Sequence, residues 1–134
     1  MPRASVQREL LIRSDNRVGL LAEITRLLSN MGIRPTALCV RAENSGAEVR
    51  LITDVQDHAR DALRRARFQV DEREVVVLEI PNRAGLVCRI TEALARKGID
   101  IEDLMVTVSA AQSVGLVVFT CSHNAQAASM LSGP

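Results

Sequence analysis

The sequence predicts an α+β fold built twice over. Two small β-α-β-β-α-β units stand in tandem, with antiparallel sheets that carry their helices on one face, and the second unit lacks its last strand. Three observations lead there. Sliding the chain along itself by about 66 residues matches Asn16 with Asn82, Arg17 with Arg83, Gly19 with Gly85, Leu20 with Leu86, Ile24 with Ile90, Thr25 with Thr91, Leu28 with Leu94, Gly32 with Gly98 and Ile33 with Ile99, which marks an internal duplication. Around each copy, stretches of two-residue alternation and stretches of three-and-four spacing follow in the same order. The same offset carries Phe68, where the last strand of the first copy begins, onto the final residue Pro134, so the second copy runs out of chain before its sixth element.

The first unit, residues 1–72, opens with alternating polar and apolar residues from Val6 to Arg13, with Leu10 and Ile12 on one face of a strand. Asp15 and Asn16 stop it, and either can cap the helix that follows. In that helix Leu20, Ile24, Leu27, Leu28 and Met31 recur at spacings of three and four, one stripe for a sheet. Gly32 closes the helix by taking a left-handed conformation, and Ile33 packs back on the last turn. A hairpin comes next, Thr36 to Ala42 and Glu48 to Val55 around a turn at Asn44-Ser45-Gly46. Asp57 to Arg67 reads as a second helix, its acids placed before its arginines so that side-chain pairs support it. Its basic cluster is a solvated face balanced by those acids. Phe68 to Val70 makes a short last strand, and Asp71-Glu72-Arg73 is too short for a flexible linker.

The second unit, residues 73–134, repeats the order: a strand from Glu74 to Ile80, a helix from Arg83 to Lys97 ended by Gly98, a strand from Ile99 to Ser109, a turn at Ala110-Ala111-Gln112, a strand from Val114 to Cys121, and a helix from Asn124 to Leu131. Its first strand is left with a bare edge. Such an edge is a pairing site, so it is expected to be covered by another subunit or by the chain's own N-terminal residues.

Composition narrows the function. Seventeen basic against sixteen acidic side chains leave a net charge of +1, which predicts no attraction to nucleic acid or to an anionic membrane. Phe68 and Phe119 are the only aromatics, so an RNA-binding sheet of this topology, which needs rings for base stacking, is disfavoured. Cys39, Cys88 and Cys121 are odd in number and lie apart in apolar stretches, as small core residues of a reducing cytoplasm. No metal site and no cofactor is expected. No apolar run is long enough for a signal peptide or a membrane span. His58 and His123 open second helices with no paired acid or nucleophile, so no catalytic residue and no enzyme activity is expected.

The repeated stretch, Asn-Arg-x-Gly-Leu leading into a helix that ends in Gly-Ile, within the six-element order, resembles the ACT domain family. The resemblance covers nearly the whole chain, as two copies with no attached catalytic domain. Family members often carry proline just before the turn glycine, where this chain has Val18 and Ala84. The resemblance implies a ferredoxin-like fold and a regulatory role: binding a free amino acid, and acting allosterically or as a sensor for amino-acid metabolism. It also implies a homo-oligomer, most simply a dimer, and an enzyme partner in trans.

The residues make a physical case of their own. An amino acid presents a carboxylate and an ammonium on one carbon. A helix N-terminus offers open N–H groups and a dipole to the carboxylate. Glycine at position 19 or 85 removes the side chain that would bar the approach, and the amide of Asn16 or Asn82 can both accept and donate. The candidate site is therefore Asn16, Arg17, Val18, Gly19 and Leu20 in one turn and Asn82, Arg83, Ala84, Gly85 and Leu86 in the other. In the family the ligand sits between two units, so Thr36, Ala37 and Leu38, or Glu102, Asp103 and Leu104, are candidates for the facing wall. The same residues have a plainer reading, in which the asparagines cap helices, the glycines serve packing and the repeated arginines are solvated. On that reading the protein is a structural interaction or oligomerisation module without a ligand. Met31 and Met105 read as core, and Asp100, Glu102 and Asp103 as a solvated strand start rather than a cation site.

Overall fold

Leu20, Ile24 and Leu28 recur every fourth residue, and all three are buried against Leu10, Ile12, Val49 and Leu51. That contact organises the first unit. The computed structural model describes residues 3–43, 45–107 and 113–132. Its elements are β1 (Arg3–Ser14), α1 (Leu20–Asn30), β2 (Pro35–Glu43), β3 (Gly46–Thr53), α2 (Gln56–Arg65), β4 (Gln69–Pro81), α3 (Leu86–Arg96), β5 (Ile101–Thr107), β6 (Val114–Cys121) and α4 (Asn124–Leu131). They form two compact units: Arg8–Arg73, and Glu74–Pro134 together with Met1–Gln7.

In the first unit the strand order is β2-β3-β1-β4, the ferredoxin-like arrangement. Antiparallel pairing sets Leu10 opposite Leu51 and Ile12 opposite Val49, and across the hairpin Val40 opposite Val49. With a side-chain period of two, this register sends Leu10, Ile12, Val49 and Leu51 to one face. Ala59 and Leu63 of α2 pack there with the α1 stripe. The core is aliphatic, as the shortage of aromatic residues requires.

The second unit repeats the plan as β5-β6-β4, with Leu78 opposite Val117, Val76 opposite Phe119 and Leu104 opposite Phe119. Ile90 and Leu94 of α3 and Ala127 and Ala128 of α4 cover that face. No described strand follows α4. The position beside β4 in this unit is taken by residues 3–7 of β1. Ala4 packs on this unit's core, and Ser132 Oγ donates to the Ala4 carbonyl at 3.0 Å. The exposed edge is thus closed by the chain's own N-terminal residues, which spares it from open pairing.

Several expectations need correction. Neither Asp15 nor Asn16 caps α1. The N-cap position is held by Gly19 in a left-handed conformation, no side chain caps the helix, and Leu20 N–H turns back to the Arg17 carbonyl at 3.3 Å. That glycine turn delays the helix start beyond the polar residues. The short strand at Phe68 to Val70 and the strand from Glu74 to Ile80 are one continuous strand, β4, because Asp71, Glu72 and Arg73 find ion-pair partners without leaving the extended conformation. Met31 is 44% exposed, since the helix closure at Gly32 begins there. Cys88 is exposed and donates to Glu92 Oε1 at 3.0 Å, so it is not a core residue. Cys121 is buried in the second core and Cys39 is half-buried. The turn expected at Ala110 to Gln112, the end of the strand before it, and Asn44 of the first hairpin turn lie outside the described residues.

Candidate functional site

The two strand-to-helix turns have the same backbone. Gly19 has φ 88° and ψ −1°, and Gly85 has φ 86° and ψ −8°. This is the left-handed region that only glycine enters without strain. In both turns the first helical N–H reaches back three residues, Leu20 to Arg17 and Leu86 to Arg83, and the first α-helical bond runs to the glycine carbonyl, from Glu23 and from Arg89. Between these bonds stand the N–H groups of Leu21 and Ala22 in one helix and of Val87 and Cys88 in the other. No side chain caps either helix. A side-chain carbon at Gly19 or Gly85 would meet nothing within 4 Å. The glycines therefore answer to the backbone conformation, and open space lies above each helix start.

The side chains around this common backbone differ. Position 23 is Glu and the equivalent position 89 is Arg. In the first turn Arg17 pairs with Glu23 and also donates to Ser14 Oγ at 3.2 Å. Asn16 is exposed and Val18 fully so. A cavity of about 310 Å³ opens there, lined by residues 13–15, Arg17, Glu23 and, from the α2–β4 connection, residues 66–69. The second turn has Arg83 and Arg89 with Ala84 and Leu86 around only about 80 Å³. The first helical turn of α3 holds no acidic residue. Asn82 N–H donates to the Ser113 carbonyl at 2.9 Å.

Of the predicted site residues, Asn16 to Gly19 and Asn82 to Gly85 are all exposed around the two glycine turns. Leu20 is buried in the first core, and Leu86 packs on the second while lining its small cavity. The predicted facing walls do not line either turn cavity. Thr36 Oγ1 donates to the Ile52 carbonyl at 3.1 Å, Ala37 is buried and Leu38 packs on the first core. Glu102 is exposed, Asp103 is half-buried, and Leu104 packs on the second core.

Arg13, Asp15, Glu23 and Arg67, none of them among the predicted site residues, line the larger of the two turn cavities. One sign of Arg67 was readable: it follows the second helix where Gly32 and Gly98 follow the first helices. Cys88, beside the second turn, is held as a thiol, because its bond to Glu92 raises its pKa. Among the described residues no group of His, Cys, Asp and Glu could hold a metal ion, and no helix is long and apolar enough to cross a membrane.

No protein-family model matches the chain, and no curated protein matches it in sequence. Solved structures do. Protein BT0572 from Bacteroides thetaiotaomicron superposes with a TM-score of 0.87 at 28% identity, over 96% of this chain and 88% of that one. The regulatory subunit of aspartate kinase from Thermus thermophilus, in a ligand-free form, matches with a TM-score of 0.62 at 13% identity over 97% of both chains. Aspartokinase alpha and beta subunits match at 0.64 and 13%, over 96% of this chain and 94% of that one. The chain shares its fold with regulatory subunits of aspartate kinase.

Proposed function

We propose that the chain is a tandem ACT-type regulatory module that binds a free amino acid and has no catalytic activity of its own. The observation that carries this is the duplicated turn. Two helices begin behind glycines of the same left-handed conformation, both uncapped, both under open space. A helix start left this way is suited to a carboxylate. The fold shared with aspartate kinase regulatory subunits supports the reading. The first turn, with the larger and more polar cavity, is the better candidate for occupancy. The module then acts on an enzyme supplied in trans, as a cytoplasmic homodimer, with ligand favouring one arrangement over another.

Calorimetric titration of the chain with each of the twenty common L-amino acids tests the proposal. Heat with one of them, abolished by Gly19→Val or Gly85→Val in a protein that still folds, supports it. No heat and no thermal shift with any of them removes it, and leaves the structural interaction module as the function.

A further inference from the structure

We infer that Arg67 and Asp15 bind the two charged ends of a zwitterionic ligand in the cleft between the β1–α1 turn and the α2–β4 connection of the first unit, an assignment that rests on the amino-acid-binding reading but gives the carboxylate to Arg67, because Gly19, Leu21 and Ala22 are not among the residues that line the cleft.

The first observation is an internal comparison. Three helices of this chain close in the same way. Behind α1, Gly32 N–H bonds to the Ser29 carbonyl and Ile33 N–H to Leu28. Behind α3, Gly98 bonds to Ala95 and Ile99 to Leu94. Behind α2, Arg67 bonds to Arg64 and Phe68 to Leu63, all at 2.9–3.0 Å. The residue in the left-handed position has φ 68° at Gly32, 70° at Gly98 and 71° at Arg67. A side chain is strained there and glycine is not. Arg67 is the one non-glycine residue with positive φ among the described residues. The two glycine ends show that the closure itself needs no side chain.

The second observation is where that side chain stands. Arg67 lines the 310 Å³ cavity together with Asp15. The other charges on the cavity wall are already engaged: Arg13 by Glu48 and Asp71, Arg17 by Glu23. Arg67 and Asp15 make no ion pair or side-chain hydrogen bond among the described residues, with each other or with anything else. One cation and one anion therefore remain among the residues that line a metabolite-sized cleft, Asp15 from the β1–α1 turn and Arg67 from the α2–β4 connection. A guanidinium takes a carboxylate through paired N–H donors, and a carboxylate takes an ammonium. A molecule carrying both a carboxylate and an ammonium, as an amino acid does, matches that pair of charges, whereas a simple anion or a simple amine satisfies only half of it.

The test uses the full chain and the calorimetric panel of twenty L-amino acids, followed by Arg67→Gly, Arg67→Lys and Asp15→Asn. For the amino acid that binds, Arg67→Gly is expected to weaken affinity by about tenfold or more while raising the melting temperature, with Arg67→Lys in between. The deaminated analogue should bind Asp15→Asn as well as the parent, and the decarboxylated analogue should not distinguish Arg67→Gly from the parent. Unchanged affinity in Arg67→Gly overturns the inference while leaving the regulatory reading intact. A lowered melting temperature in that variant shows that the side chain serves the fold, and also overturns it. No binding by the parent protein overturns both.

Discussion

Gln56 and Asn124 do the same work in the two units. Each is the first residue of the second helix of its unit. Gln56 Oε1 accepts the Thr53 N–H at 2.7 Å, and its Nε2 donates to the Arg8 carbonyl at 2.5 Å. Asn124 Oδ1 accepts the Cys121 N–H at 2.9 Å, and its Nδ2 donates to the Glu74 carbonyl at 3.3 Å. One amide thus joins the end of the third strand to the first strand of the same unit, and the shorter asparagine makes the longer bonds. Removing it strands donors and acceptors in a partly buried place. Gln56→Ala is expected to lose about 1–3 kcal/mol, and Asn124→Ala less within that range, by urea denaturation. A loss below about 0.5 kcal/mol for Gln56→Ala would show that water replaces the amide freely.

This second duplication is hidden in the sequence. Gln and Asn differ, and the partners on the first strand are backbone carbonyls, which any residue supplies. The helix stripe at Leu20, Ile24 and Leu28 was legible because the same spacing meets an apolar sheet face in both copies. Of the candidate site, the repeated turn made Arg17, Arg83, Ala84 and Leu86 legible, and they line the two turn cavities, while Gly19 and Gly85 were legible because the backbone there restricts the residue type. The cavity wall at Arg67 depends on which remote segments meet, since residues 66–69 come to the β1–α1 turn from the other end of the unit, and local periodicity carries no record of that. Glu9 is the sharpest case. Alternation in β1 assigns it to a solvated face, yet it is 1% exposed, because Arg50 and Arg73 come to it from distant strands.

That buried carboxylate leads to a larger effect. Glu9 Oε1 accepts from Arg50 Nε at 3.0 Å and from Arg73 Nη2 at 2.7 Å. Truncation to alanine leaves two guanidinium groups in a partly buried place without their shared anion. Breaking such a group from one side costs about 3–5 kcal/mol. Glu9→Ala should therefore be the most destabilising of these variants by urea denaturation, and Glu9→Gln, which keeps an acceptor of the same shape, should lose less. Equal losses would assign the effect to packing instead of charge.

Arg67 carries a stability prediction independent of any ligand. A non-glycine residue in the left-handed region costs about 1 kcal/mol relative to glycine. Arg67→Gly should gain about that much in urea denaturation, offset in part by the greater freedom of glycine in the unfolded chain. Gly32→Ala and Gly98→Ala should shift stability the other way, since their φ values match that of Arg67. If Arg67→Gly is neutral while both alanine variants are destabilised, the arginine gains back in contacts what its backbone loses.

Glu72 makes the acid sensitivity of the first unit testable. Arg60 Nη1 donates to its Oε1 at 2.8 Å and Arg8 Nη1 to its Oε2 at 3.1 Å. The Arg60 hydrogen bond is the main reason that the carboxyl titrates below its ordinary value of 4.5. The folded protein therefore holds this proton less tightly than the unfolded chain, and unfolding takes a proton up as the pH falls. The stabilisation is complete above the ordinary value and disappears as the pH drops through the lowered one. Glu72→Gln lacks the charge at every pH. Urea midpoints of the parent and of Glu72→Gln, measured from pH 7 downwards, should differ at neutral pH, and the difference should shrink as the pH falls below the ordinary carboxyl value. A difference that stays constant across the titration would mean that Arg60 and Arg8 hold Glu72 by shape and hydrogen bonding alone, and that its charge does not stabilise the fold.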